Sequence, residues 1–146
     1  MLRRLLGLFA RGGPAALDPG RSDLVIVAQA GDPLEAAGTV LSRAAIAEPR
    51  WREPELAVLR HHMVFPAHDD RSGEAASIAA LDGYTLARTG VPSIEVADGE
   101  KHVVLQRVQV LSVLGCAQEA SRMASLASRL GGDCRGWDAL QPREPA

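Results

Sequence analysis

Apolar residues fall into short blocks whose spacing switches between two and three-to-four positions, with breakers between the blocks. Gly12, Gly13, Pro14, Asp18, Pro19 and Gly20 form the first breaker cluster, so residues 1–20 read as tail and linker. Leu24 to Ala28 is a β-branched apolar run. A buried strand is the first reading, and a helix stays open because periodicity alone does not separate the two. Asp32 and Pro33 suit the N-cap and first position of a helix from Leu34 to about Ala47, with Leu34, Ala37, Leu41 and Ala44 at helical spacing. Pro49 and Pro54 close that helix. Trp51, between them, is placed to pack this N-terminal extension, residues 21–58, back onto the domain.

The pattern sharpens after Pro54. Leu59 to Ala67 reads as a strand, with Pro66 at its end where a missing N–H does least harm. Asp69 or Asp70 caps a helix over residues 73–82, whose inner side carries Ala75, Ile78, Ala79 and Leu81. Gly83 stops it in the left-handed position that favours glycine. Tyr84 to Ala87 and Ser93 to Ala97 read as one extended stretch interrupted around Gly90 and Pro92. Asp98-Gly99 is a turn signal, and Lys101 to Leu111 returns as a long strand.

That strand carries a conflict. Strict alternation puts Val103 and Leu105 on one face and Val104, Val108 and Val110 on the other. Either both faces are covered, or a bulge near Gln106-Arg107 shifts the phase; the bulge is the preferred expectation, because Arg107 and Gln109 need water. If neither holds, an exposed apolar patch remains as a contact surface.

The last helix is the clearest element. Cys116, Ala120, Met123, Ala127 and Leu130 recur at helical spacing, and Gln118, Glu119, Arg122, Ser125 and Arg129 fill the opposite side. Gly131-Gly132 ends it, and Asp133 to Leu140 forms a closing strand. From Leu59 the order is β-α-β-β-α-β. Right-handed crossovers turn that order into a four-stranded sheet with both helices on one face. The expected fold is therefore α+β, a ferredoxin-like sandwich over residues 59–140 with an N-terminal strand/helix extension and a tail at 141–146.

Composition narrows the function classes. A chain of 146 residues has room for one domain with a proper core. With net charge −2, scattered basic residues and 3% aromatics, it lacks both the basic stripe of a duplex binder and the stacking platform of a single-strand binder. No apolar run approaches the roughly 20 residues of a membrane span. Leu2, Leu5, Leu6, Leu8 and Phe9 with Arg3, Arg4 and Arg11 make a short basic amphipathic stretch, read as a frayed terminus or a weak membrane-surface contact. Cys116 and Cys134, far apart and outside any C-x-x-C spacing, read as reduced thiols of a cytoplasmic protein.

No catalytic, cofactor-binding or metal-ligating residue is assigned. His61 and His62, adjacent on a strand, point to opposite faces and do not share a metal. His68 with Asp69 and Asp70 reads as a capping, solvated loop in preference to a cation site. Cys116, near a helix start, has core spacing, and Gly131-Gly132 follows a helix where a phosphate cradle opens one. Trp137 reads first as core, with an exposed anchor as the alternative, since Trp is enriched among binding hot spots. Trp137, Arg107 and Gln109 are the partner-contact candidates.

These features together resemble the regulator of ribonuclease E activity B family, the ribonuclease E inhibitor proteins. The resemblance covers Arg60 to Leu140 and rests on four features. They are the strand His61-His62-Met63-Val64-Phe65-Pro66, an Ala-rich helix ending in Leu81-Asp82-Gly83-Tyr84, a hairpin turning at Asp98-Gly99, and the final helix with its closing strand. That strand, Asp133-Cys134-Arg135-Gly136-Trp137-Asp138, looks like the family's aspartate-glycine-tryptophan strand with Arg135 inserted. The resemblance implies a ferredoxin-like α/β sandwich without catalysis that binds an RNase E-type endoribonuclease and modulates RNA decay. The family's best-known members are strongly acidic, whereas this chain is nearly neutral with a basic N-terminus. A self-associating ferredoxin-like module, dimeric through a sheet face or edge, is the alternative.

Overall fold

The computed structural model describes residues 16–87 and 94–145. The expected N-terminal amphipathic stretch and the interruption around Gly90 and Pro92 lie outside the described residues. The chain is mixed α/β. Its strands are β1 (Leu24–Ala30), β2 (Leu56–Pro66), β3 (Thr85–Leu86), β4 (Glu100–Val110) and β5 (Asp133–Pro142). Its helices are α1 (Ala37–Ala44), α2 (Ser72–Ala80) and α3 (Val113–Arg129), with a short 3-10 turn at Ala67–Asp69. The strands form one sheet in the order β1-β5-β2-β4-β3, and every neighbouring pair is antiparallel.

All three helices pack on one face. The alternating residues Ala57, Leu59, Met63 and Phe65 of β2 project into two adjoining core clusters on that face. One joins α1 and the start of α3 to Val27, Ala28, Trp51 and Trp137; the other joins α2 and the rest of α3 to Leu105, Tyr84 and Cys134. The single long helix α3 therefore ties both clusters together. Cys116 and Cys134 are free, buried thiols, one in each cluster. Burial pushes the Cys116 thiol up to about 11, the reverse of what a helix start does to an exposed thiol.

The N-terminal extension adds both a strand and a helix. β1 extends the sheet beyond β5, and Trp51 sits buried in the same cluster, its backbone N–H donating to Ala44 O. Gln141, with no exposed surface, fixes the link to β2: its amide accepts from Arg52 N at 2.9 Å and donates to Arg52 O at 3.0 Å.

Several local expectations change. α1 starts at Ala37, not Leu34, because Asp32 caps a separate turn: its Oδ1 accepts from Leu34 N, and Glu35 N donates to Asp32 O. Ile78 and Leu81 are 41% and 85% exposed, so α2 buries only its small Ala75–Ala79 side. Residues 94–97 form no strand, and β3 is two residues long. β4 pairs with β2 residue for residue from Glu100 to Val110, so the bulge expected near Gln106-Arg107 is absent. Arg107 instead points to the helix face, where its guanidinium lies 4.5 Å over the Tyr84 ring and donates to Asp82 O and Gln109 Oε1. A ring and a carbonyl stand in for the water that its charge requires.

The bulges lie elsewhere. Val27 is extra in β1 against β5, and Arg135 is extra in β5 against β2. The inserted residue of the closing strand is thus accommodated as a β-bulge, and Gly136 beside it takes φ +133°. A Cβ at Gly136 would lie 2.4 Å from Ala30 O. Both helix stops follow from glycine as well. Gly83 and Gly131, at φ +86° and +81°, let the next residue's N–H reach back to Ala79 O and Ala127 O.

Gly136→Ala is expected to lower the unfolding free energy by about 1–3 kcal/mol through backbone strain and the clash with β1. Gly31→Ala, where an added Cβ meets no atom within 4 Å, is expected to shift it by no more than about 0.5 kcal/mol. Urea unfolding of the two variants checks the contrast.

Candidate functional site

The three consecutive polar residues Arg60, His61 and His62 sit in the middle of the central strand, and all three are buried. Alternation sends His61 to the helix face and the other two to the opposite face. Two separate polar networks result, one on each side of β2.

On the face without helices, Asp138 of β5 stands opposite Arg60 and has no exposed surface. Arg60 donates to both its oxygens, Nε to Oδ1 at 2.7 Å and Nη2 to Oδ2 at 2.9 Å. His62 Nε2 donates to Oδ2 at 2.9 Å. Its Nδ1 pairs with His102 Nε2 at 3.0 Å, and the two rings stack 5.2 Å apart. Burial alone would raise the Asp138 pKa, but the hydrogen bonds from His62 and Arg60, with the Arg60 charge, hold it at about 2. Burial lowers the His102 pKa.

On the helix face, Tyr84 donates to Glu119 Oε1 at 2.7 Å and lies 3.4 Å from His61 Nε2. With the hydroxyl proton committed to Glu119, the Tyr84 oxygen is left to accept from His61 Nε2–H. His61 Nδ1 is then a buried acceptor without a partner among the described residues. Burial, with His62 and Arg107 nearby, lowers the His61 pKa to about 3. Burial and the Glu119 bond raise that of Tyr84. Arg122 pairs with Glu119 and Asp82, and Arg107 lies 3.6 Å from Glu119. Glu119, expected on the outer side of α3, is therefore buried by this network.

Asp138, His62 and His102 form a chain of the kind that orients a general base. Both cysteines lie on the other face of the sheet. The four bonds among Arg60, Asp138, His62 and His102 join these side chains into one polar network on the face without helices. No group of three or more His, Cys, Asp or Glu side chains among the described residues is placed to hold a metal ion. In the His68 loop, Asp70 accepts from Ser72 N and pairs with Lys101, and the bonds from Ser72 and Lys101 hold its pKa at about 2.

The three partner-contact candidates separate in space. Trp137 is 2% exposed and belongs to the helix-side core, so its indole is not a surface anchor. Arg107 and Gln109 stay half-buried together at the helix side of β4. Arg60 and Asp138, the centre of the buried network, were not among the sequence candidates. The signal for them was a charged residue inside an otherwise apolar central strand, which requires a buried counter-ion. No protein-family model, curated protein or solved structure matches the chain. Among the described residues no helix is long and apolar enough to cross a membrane.

His61 faces Tyr84, Glu119 and Arg107 and has a folded pKa far below its ordinary 6.5. Between pH 6.5 and 3 the unfolded chain binds a proton at this position that the folded chain refuses. Stability therefore falls as pH drops through that window, by up to about 1.4 kcal/mol per pH unit from this group. His61→Leu, which leaves the Tyr84–Glu119 bond in place, is expected to fall less steeply, as measured by urea unfolding at pH 7, 5.5 and 4.5.

Proposed function

We propose that the chain is a non-enzymatic, cytoplasmic regulatory module that binds another protein through the edge and end of β4. The order β5-β2-β4-β3, with α2 and α3 on one face, supports a ferredoxin-like core to which β1 and α1 are added.

The observation that carries the proposal is the asymmetry between the two edges of the sheet. β1 is blunted: Val27 bulges and Arg43 donates to Gln29 O across the open side. β4 is left open. β3 pairs only with Leu105 and Gln106, and Ala87 N adds one bond to Val104 O. Backbone groups alternate between the two edges of a strand. Those of Val108 and Val110 therefore face outward like Val104 O, and no strand among the described residues pairs with them there. The same end carries exposed apolar side chains, with Val110 at 49%, Val113 at 52% and Leu114 at 67% exposure. An extended segment adding to this edge gains main-chain hydrogen bonds and an apolar contact together. Arg107 and Gln109 lie along the same stretch.

The choice of an RNase E-type endoribonuclease as partner rests on the resemblance alone. A second copy of the chain fits the same open edge, because an antiparallel edge pairs with itself about a twofold axis. Binding of the purified protein to such an endoribonuclease, with its solution mass measured in parallel, tests the reading. Association with the enzyme and slowed RNA cleavage are expected, weakened at least about tenfold by Val110→Lys. A dimer broken by the same variant supports the second reading. A monomer that binds no enzyme, or binding indifferent to Val110→Lys, overturns the proposal.

A further inference from the structure

The sheet face without helices carries a feature that protein binding at the β4 edge does not use. Strand register aligns Gln29, Asp138, Arg60, Gln106 and Thr85 in one row across all five strands, each directly opposite the next. Side chains paired in this way share a face. Three of the five reach a cleft of about 620 Å³, within the range of small-molecule sites. Arg60, Gln106 and Thr85 line it, with Leu24, Val58 and Leu140 as apolar walls.

The polar groups of the floor are fixed but not saturated. Asp138 holds the Arg60 guanidinium through Nε and Nη2, which leaves Nη1 without a partner among the described residues. Arg60 is 9% exposed, so this edge is immobilised at the base of the cleft. Gln106 and Thr85 make no side-chain hydrogen bond among the described residues, and both stand beside Arg60 in the row. A guanidinium, a carboxamide and a hydroxyl thus stand side by side in one row at the cleft.

Charge narrows the ligand. Asp138 already balances Arg60, and Asp18 stands at the rim with Arg21, itself paired to Asp23. The floor offers several donors but little net positive charge. That suits one carboxylate, whose two oxygens accept two or more hydrogen bonds, and disfavours a dianionic phosphate beside two carboxylates. The walls call for a hydrocarbon body on the same molecule. We propose that this cleft binds a small monocarboxylate with an apolar body, its carboxylate held by Arg60 Nη1, the Gln106 amide and the Thr85 hydroxyl.

The test is titration of the full chain with octanoate, octanol and octyl phosphate, followed by calorimetry and by the NMR signals of the Arg60 Nε–H and Gln106 amide. Arg60→Ala is unsuitable, because it strands a buried Asp138 and endangers the fold. Gln106→Leu and Thr85→Val leave the ion pair untouched. Saturable octanoate binding is expected, with both side-chain signals shifting. Octanol should bind at least about tenfold more weakly, and each variant should lose about tenfold, the equivalent of one hydrogen bond to a charged group. Three results would overturn the site: no saturable octanoate binding, equal binding of octanol, or indifference to both variants. Tighter binding of octyl phosphate would overturn the carboxylate assignment.

Discussion

One buried carboxylate organises the centre of this molecule. Asp138 has no exposed surface, so an ionised side chain there requires strong donors on all sides. Arg60 and His62 supply them from β2, two residues apart on the same face. A one-residue slip of β5 against β2 would move Asp138 among the apolar side chains of the helix face and leave Arg60 buried without a counter-ion. The ion pair therefore acts on register. The bulge at Arg135 lies three residues before Asp138 in β5, and it lets the strand satisfy both the ion pair and the helix-side packing of Cys134 and Trp137.

The two faces of the sheet divide the work. The helix face holds the apolar core and one polar cluster around Tyr84, where His61, Glu119 and Arg107 meet the ring and its hydroxyl. The opposite face holds the ion pair and the cleft above it. Because the guanidinium is fastened on two of its nitrogens, its remaining edge has a defined direction, and a ligand meeting it loses little freedom in the protein. The open β4 edge at Val108 and Val110, beyond the reach of β3, is a third surface.

Features with strong local signals were legible in the sequence. The final helix, the long strands, and the glycines that end α2 and α3 follow from spacing and from the left-handed backbone those stops need. The opposite placement of His61 and His62 followed from alternation alone. What failed to show was set by partners distant in sequence. Arg107 called for a bulge until Tyr84 and Asp82 supplied a ring and a carbonyl from another segment. Glu119 reads as solvated until the Tyr84 hydroxyl is placed against it. Arg60 and Asp138 are 78 positions apart, and no local pattern joins them. Trp137 was correctly readable as core by its place in a closing strand, and its 2% exposure removes the alternative of a surface anchor.

The most direct measurement of the organising role given to Asp138 is a double-mutant cycle in urea unfolding, built from Arg60→Gln, Asp138→Asn and the combined variant. Each single change strands a buried group, so each is expected to destabilise by about 3–5 kcal/mol. The combined variant should recover part of that loss, giving a coupling of about 1–3 kcal/mol. Strictly additive losses, or single variants no less stable than the parent, would contradict the account: the pair would then be an incidental contact, and the register and the cleft floor would rest on something else.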